Sequence, residues 1–326
     1  MSDILFGIGA ILLGIAGSYG IFWLLDRLTR FLPEKLQEKL RVFSFVLPAA
    51  TLLVLVSLVP LIITIIQSFQ DKASVNWVGF KNYTKLFTDP TFLDILLNNF
   101  LWVAFVPVIT VVSGLVFATL TNGVGRYRER IFKSLIFMPM SISFVSAATI
   151  WKFAYYYPPP GRPKTGLINA IIEGLGGTAQ PLLATDTWRL NSFLLMIIVI
   201  WLNAGFSMML LSAAIKAVPE ETIEAARLDG AGGLAIFFRV IVPQIRGTIV
   251  SVLITVIIGT MKIFDIVLAM TGGNFTTSVL GFEFYRQYFV NTDAGSAAAV
   301  ITVLCILIAP LMWLQVRTVR HQQEMA

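Results

Sequence analysis

One cysteine and one histidine occur among the 326 residues. With Cys305 alone, no disulfide can form within the chain, and no cysteine metal cluster can be assembled. His321 stands in a polar C-terminal tail, where solvation accounts for it. Charged residues make up 13% of the chain, against roughly a quarter in a soluble domain. No Gly-x-x-x-x-Gly-Lys-Ser/Thr segment occurs, so the chain has no phosphate loop of its own for ATP. It also lacks a nucleophile–base constellation, and neither a catalytic residue nor a bound cofactor or metal is expected. The net charge of +6 has an ordinary origin in membrane topology and does not call for nucleic acid as a partner.

What fills the chain is apolar sequence, at 57%. Several runs reach the roughly 20 residues that a helix needs to cross a bilayer. The expectation is an all-α polytopic membrane protein with seven spans, at Ile4–Leu25, Phe43–Ile66, Asn99–Thr121, Phe132–Ala154, Phe193–Ile215, Thr248–Met270 and Ala294–Leu314. The first span has an acidic flank at Asp3 and no basic n-region, so it is expected to be retained and not cleaved as a signal peptide.

Basic residues fix the expected orientation. They concentrate in alternate connections: Arg27, Arg30, Lys35, Lys39 and Arg41; then Arg126, Arg128, Arg130 and Lys133; then Lys216, Arg227, Arg239 and Arg246; and finally Arg317 and Arg320. Positive loops face the cytoplasm, which puts the N-terminus outside and the C-terminus inside. The outer segments look folded. Ser68–Asn98 carries Trp77, Phe80, Tyr83, Phe87 and Phe92; Tyr155–Asn191 carries Pro158-Pro159-Pro160 and Trp188; Gly272–Asp293 carries Phe282, Phe284, Tyr285, Tyr288 and Phe289. These aromatics serve either as interface anchors or as a docking surface for an external partner.

A polar island interrupts the apolar pattern on the cytoplasmic side, Glu224-Ala225-Ala226-Arg227-Leu228-Asp229-Gly230-Ala231-Gly232, closing at Pro243. Pro219-Glu220-Glu221-Thr222 suits a helix start, because Pro is tolerated in the first turn and acids favour the N-terminal end of the dipole. Ile223, Ala226 and Ala231 fall on or near one face. Asp229-Gly230 and Gly232-Gly233 allow a sharp turn, and a second short helix, rich in Ile236, Phe237, Phe238, Val240 and Ile241, leads to Pro243. The pattern predicts a helix–turn–helix on the cytoplasmic surface. It is either a partner-binding element or an interfacial helix with no partner.

Glu-Ala-Ala followed by Asp-Gly-Ala and a distal Pro resembles the EAA loop of bacterial ABC importer permeases. Trp77-Val78-Gly79-Phe80-Lys81-Asn82-Tyr83, Ile263-Phe264-Asp265 with Met270-Thr271-Gly272-Gly273, and Gly295-Ser296-Ala297-Ala298-Ala299 resemble segments of the type I, MalF-like carbohydrate branch. Within that branch the pattern is similar to permeases for α-glucosides and osmolytes such as glucosylglycerol. The likeness covers roughly Phe43 to Arg317. It implies a six-helix permease core at 43–326, with the EAA loop at about 217–246, preceded by an extra helix and basic linker at 1–42. The long inserted outer domain of the maltose permease is absent.

The resemblance implies two cytoplasmic ATP-binding subunits that bind ATP and Mg, a second, MalG-like permease and an extracytoplasmic substrate-binding protein. Glu224, Ala225, Ala226, Asp229, Gly230 and Pro243 would form the coupling element, with Ala225 and Ala226 permitting close approach to an ATPase. Carried over by distance from the EAA loop, the cavity-lining positions of the maltose permease fall at Val199, Leu202, Asn203, Val256, Thr260 and Ile263. By the Pro-containing start of the fourth span they fall near Met140 and Phe144. Asn203 and Thr260 alone keep clear hydrogen-bonding capacity, and Asn203 serves equally as interhelical glue. Ser141, Ser143 and Ser207 read as structural. Lys262 and Asp265, three apart, are expected on one helix face as a gate or a packing pair. Trp151, Trp201 and Trp313 read as packing or interface residues. Alternatives are an ABC permease for an amino acid or polyamine, and a self-sufficient secondary transporter or channel.

Overall fold

The computed structural model describes residues 49–158 and 166–324, with 17, 19, 20, 23, 27 and 46 as isolated positions before them. The expected span Ile4–Leu25, the boundary at 42/43 and most of the Pro158-Pro159-Pro160 run lie outside the described residues. Among the described residues the structure is helical, with one isolated antiparallel bridge between Gln70 and Trp77. The chain divides after Ile66 into two units. The first contributes α1, Ala49–Gln67, which is long and apolar enough to cross a membrane and is widened by a π turn at Val54–Leu58.

The second unit, from Gln67 onward, is a helical bundle. It comprises α2 (Lys81–Thr88), α3 (Pro90–Asn122), α4 (Arg126–Phe137), α5 (Phe144–Ala154), α6 (Leu167–Gly174), α7 (Leu190–Lys216), α8 (Glu220–Leu228), α9 (Gly233–Gln244), α10 (Arg246–Met261), α11 (Asp265–Met270), α12 (Leu280–Tyr285) and α13 (Ala294–Glu324). Counting each bent pair as one, up to six spans are present among the described residues.

Three expected spans need correction. The third begins at Pro90 and not at Asn99: the Asp89 side chain accepts from the Thr91 N–H at 2.9 Å, and Pro90 occupies the first turn, where its missing N–H costs nothing. The fourth is not one rod. Helix α4 ends in a 3₁₀ turn, Met138–Ser141, and α5 restarts after a 100° bend. Pro139 lies in the turn, and the Ser143 hydroxyl caps α5 by accepting from Ser146 N–H at 3.2 Å, the structural role read for Ser143. The sixth breaks after Met261: Lys262 is the cap of α10, Phe264 is non-helical (φ −146°), and α11 begins at Asp265. The fifth and seventh spans hold, the seventh running on to Glu324.

The core lies mainly between α3, α7, α10 and α11, where Trp102, Val106, Leu195, Met208, Val252 and Ile266 are buried. In a bilayer, helix association gains little from apolar burial and depends on close packing of small residues. Gly114 of α3 shows this. A Cβ there would lie 2.4 Å from Ser207 Oγ and 2.8 Å from the Met208 nitrogen of α7, so the absent side chain sets the separation of the two helices. Ser207 is fully buried at that contact, the structural role its sequence setting suggested. Trp151 and Trp201 pack edge to face at 5.8 Å.

Buried amides close one end of the bundle. Asn98 Nδ2 donates to Ser278 O at 2.9 Å, and Asn99 Oδ1 accepts from Leu280 N–H at 2.9 Å. Asn191 Nδ2 donates to Phe275 O at 2.7 Å, and Arg189 pairs with Asp94 at 2.6 Å. The segment between α11 and α12 is therefore a fixed hairpin against the starts of α3 and α7. The other end gathers the C-terminal ends of α3 and α7, the start of α4, and α8.

Candidate functional site

Helix α8 is the element with no counterpart in a simple connection between spans. Pro219 precedes it in extended backbone, and Glu220 and Glu221 fill its first turn. Its end is a Schellman motif. Ala231 N–H donates to Ala226 O and Gly230 N–H to Arg227 O, both at 3.0 Å, with Gly230 at φ +80°. That pairing satisfies two carbonyls the helix end would otherwise orphan, and it fixes the direction in which α9 departs. Helix α9 follows through a π turn at Phe237–Ile241, contains Pro243, and meets α10 at a 71° bend.

The helical period divides α8 into two faces. Ile223 and Ala226, three apart, are half-buried towards α9; Glu224, Ala225 and Leu228 are exposed. This corrects one expectation: Ala226 is on the inner face, where its small side chain allows α9 to lie close, and only Ala225 is on the outer one. Asp229 and Gly230 are exposed at the turn, and Pro243 is exposed on α9. Leu228 is 89% exposed and Leu234, just after the turn, 78%. A lone exposed leucine is ordinary; here two flank one turn, one at the end of α8 and one at the start of α9.

Below α8 the bundle is locked by a charge network that sequence reading missed. Lys133 Nζ donates to Glu129 Oε1 at 2.5 Å and Asn122 Oδ1 at 3.0 Å, and also to Ser212 Oγ. Lys216 Nζ donates to the same Glu129 oxygen at 2.5 Å. Helices α3, α4 and α7 are thereby tied together three residues before Pro219. The Glu129–Lys133 spacing of four was available in the sequence as a helix-face pair; the partners on α3 and α7 were not.

The expected path residues gather in one region but turn inward. Val199, Leu202, Val256, Thr260 and Ile263 are all buried, and the four apolar ones belong to the main core. Thr260 Oγ1 donates to Val256 O, and Asn203 Nδ2 to Val199 O, each at 2.8 Å. Both side chains bond to their own helices, and Asn203 remains half-exposed. Phe144 is half-buried against the same core, and Met140 is exposed on the 3₁₀ turn beside α7. Lys262 and Asp265 do not share a helix face, because the α10–α11 break falls between them, and no ion pair joins them. The break carries something else: Phe264, Tyr285 and Phe289 form a chain of rings with centroids 5.2 Å apart at each step, next to the exposed Lys262. Their spacing in sequence gave no signal, since α12 folds back onto the break only in three dimensions.

Residues 110–321 match the family model described as "Binding-protein-dependent transport system inner membrane component". The chain is 42% identical over 289 residues, 88% of its length and 85% of the relative's, to the alpha-glucoside transport system permease protein AglF of Rhizobium meliloti. It is 42% identical over 281 residues, 86% of its length and 99% of the relative's, to the osmoprotective compounds uptake permease protein GgtC of Synechocystis sp.. The fold is similar to a chain in the crystal structure of a bacterial alginate ABC transporter in complex with an alginate pentasaccharide-bound periplasmic protein, with a TM-score of 0.73, 20% identity, and coverage of 86% of this chain and 94% of that one.

Proposed function

This chain belongs to the family of binding-protein-dependent transport system inner membrane components and is a permease subunit of an ABC importer, and from that premise we propose that it forms half of the import path for an α-glucoside or a related osmoprotectant such as glucosylglycerol. The two relatives named for such solutes, each 42% identical, support this substrate class. The external binding protein delivers the solute, a second permease completes the path, and two ATP-binding subunits supply the energy with the ATP and Mg that they hold. The basic end of the bundle, with Arg126, Arg130, Lys133 and Lys216, faces the cytoplasm. The hairpin end, with the 67%-exposed Trp77 and 72%-exposed Phe80, faces the binding protein.

The observation that carries the coupling reading is the exposed outer face of α8, Glu224, Ala225 and Leu228, continued past the fixed turn by Leu234 of α9. Seated in a groove of an ATP-binding subunit, α8 follows that subunit when ATP closes the pair. Because α8 continues into α7 on one side and α9–α10 on the other, its displacement tilts both spans and switches access from one side to the other. The solute crosses at the α10–α11 break. There the open backbone, Lys262, Asp265 and the Phe264–Tyr285–Phe289 rings offer hydrogen-bonding groups and flat apolar faces, the two surfaces that a sugar presents. Val199, Leu202, Val256, Thr260 and Ile263 form the wall behind, with Asn203, Met140 and Phe144 nearer the surface.

Glu224→Lys tests the coupling. The exchange leaves an exposed side chain exposed, so the subunit folds, but the complex loses ATP-binding subunits or hydrolyses ATP without transport. Normal transport with normal stimulation of ATPase activity by loaded binding protein would sink the reading.

A further inference from the structure

A cleft of about 350 Å³ opens between α4 and the C-terminal half of α7, away from the α10–α11 break. Its walls change character along their length. At one end stand Arg126, Arg130, Lys133 and Lys216 around the single carboxylate of Glu129, a net charge of +3. At the other end stand Phe137 and Met209, which are 37% and 43% exposed. Arg130, Ser134 and Phe137 follow Arg126 by four, eight and eleven residues along α4, one stripe of a helix. From Arg126 to Phe137 the rise is about 16 Å.

The charges are not balanced from within. Glu129 is engaged by both Lys133 and Lys216, whereas Arg126 and Arg130 have no acidic partner among the described residues. A guanidinium pair beside a hydroxyl is suited to a phosphate, because arginine offers planar, paired donors to its oxygens. The apolar end decides what carries the phosphate. A soluble anion has no use for Phe137 and Met209. A phospholipid has its headgroup and acyl chain in that order, the same charged-to-apolar order that the lining follows from Arg126 to Phe137.

The geometry points to a binding site for an anionic phospholipid, its phosphate held by Arg126, Arg130 and Ser134 and the first part of its chain lying along Phe137 and Met209. Basic pockets between spans at the cytoplasmic side hold acidic headgroups in this manner. The bound lipid bridges α4 to α7 just before α8 and reinforces the Glu129 clamp. The site is separate from the transport reading, and its test reads lipid and not cargo.

The whole transporter is purified, and short-chain phosphatidylglycerol, phosphatidylcholine and inorganic phosphate are titrated against it while bound lipid is counted by native mass spectrometry. Phosphatidylglycerol binds in preference to phosphatidylcholine, and Arg126→Gln with Arg130→Gln weakens it about 30-fold, the effect of removing two interfacial cations. Arg126→Lys with Arg130→Lys keeps the charge but not the paired donors, so it loses less binding than the double Gln variant and shows that the fold survives. Arg128→Gln, off the stripe, leaves it unchanged. Met209→Gln weakens the lipid but not inorganic phosphate. Unaltered lipid binding in the double Gln variant overturns the site. So does an equal loss with Arg128→Gln, which would mean diffuse surface attraction. Displacement of the lipid by inorganic phosphate at equal concentration would assign the cleft to a soluble anion instead.

Discussion

Replacing Gly230 with valine puts a β-branched residue into left-handed backbone at φ +80°. The effect can be worked out because the site is open: a Cβ there meets nothing within 4 Å, so no clash contributes and the cost is conformational. A side chain in this region costs about 1–2 kcal/mol, rising towards about 3 for a β-branched one. The turn loses that much relative to right-handed alternatives, a shift of roughly 5- to 160-fold in its population. What is lost is the pair of bonds from Ala231 to Ala226 and from Gly230 to Arg227, and with them the fixed angle between α8 and α9. Helix α8 can still form, because its remaining bonds do not involve residue 230. The expected phenotype is a normally inserted subunit whose ATPase partner is poorly controlled: amide exchange at Ala231 accelerates by the same factor, and transport per ATP falls. Gly230→Asn provides the control, since asparagine tolerates the left-handed region; it retains most of the coupling. Hydrogen exchange by mass spectrometry and ATP-to-solute ratios in proteoliposomes are the assays. Wild-type exchange and coupling in Gly230→Val, or equal damage in Gly230→Asn, would refute the argument that left-handed geometry sets the turn.

The other predictions concern packing and the path. Asn99→Leu leaves the Leu280 N–H buried without an acceptor, at a cost of about 1–3 kcal/mol; the melting temperature of the complex falls and exchange rises selectively in residues 271–290. Gly114→Leu forces α3 from α7 and costs about 1–3 kcal/mol or more, while the milder Gly114→Ala is partly rescued by Ser207→Gly, a coupling that a thermal-shift double-mutant cycle reads. Tyr285→Ala with Phe289→Ala lowers transport two- to tenfold, on the order of an aromatic contact of about 0.5–1.5 kcal/mol, without altering solute affinity of the isolated binding protein; unchanged transport removes the rings from the path.

Particular residues show why the sequence was readable in some places and not in others. Helix α7 at both ends and α13 at its start were legible to within a few residues, because the hydrocarbon thickness forces length and composition together; the extension of α13 beyond Leu314 to Glu324 was not. The breaks at Ser143 and at Lys262–Phe264 were not, because hydropathy averages over a window and cannot register a bend whose freed backbone is sheltered by neighbouring helices. Helix α8 was legible because an acidic start and a Gly at its end are local signals with local causes. The orientation of Ala226 was not, because it depends on where α9 lies.

Composition and short runs of residues were enough to identify a membrane chain without a phosphate-loop segment, with a helix start at Glu220–Glu221 and a turn at Gly230. Each of these follows from composition or from a few consecutive residues. The inward orientation of Val199, Leu202, Val256, Thr260 and Ile263, the helix break between Lys262 and Asp265, and the cleft shared by Arg126, Arg130 and Met209 became visible in three dimensions alone. Those depend on contacts between residues up to a hundred positions apart, for which the linear order carries no local physical trace.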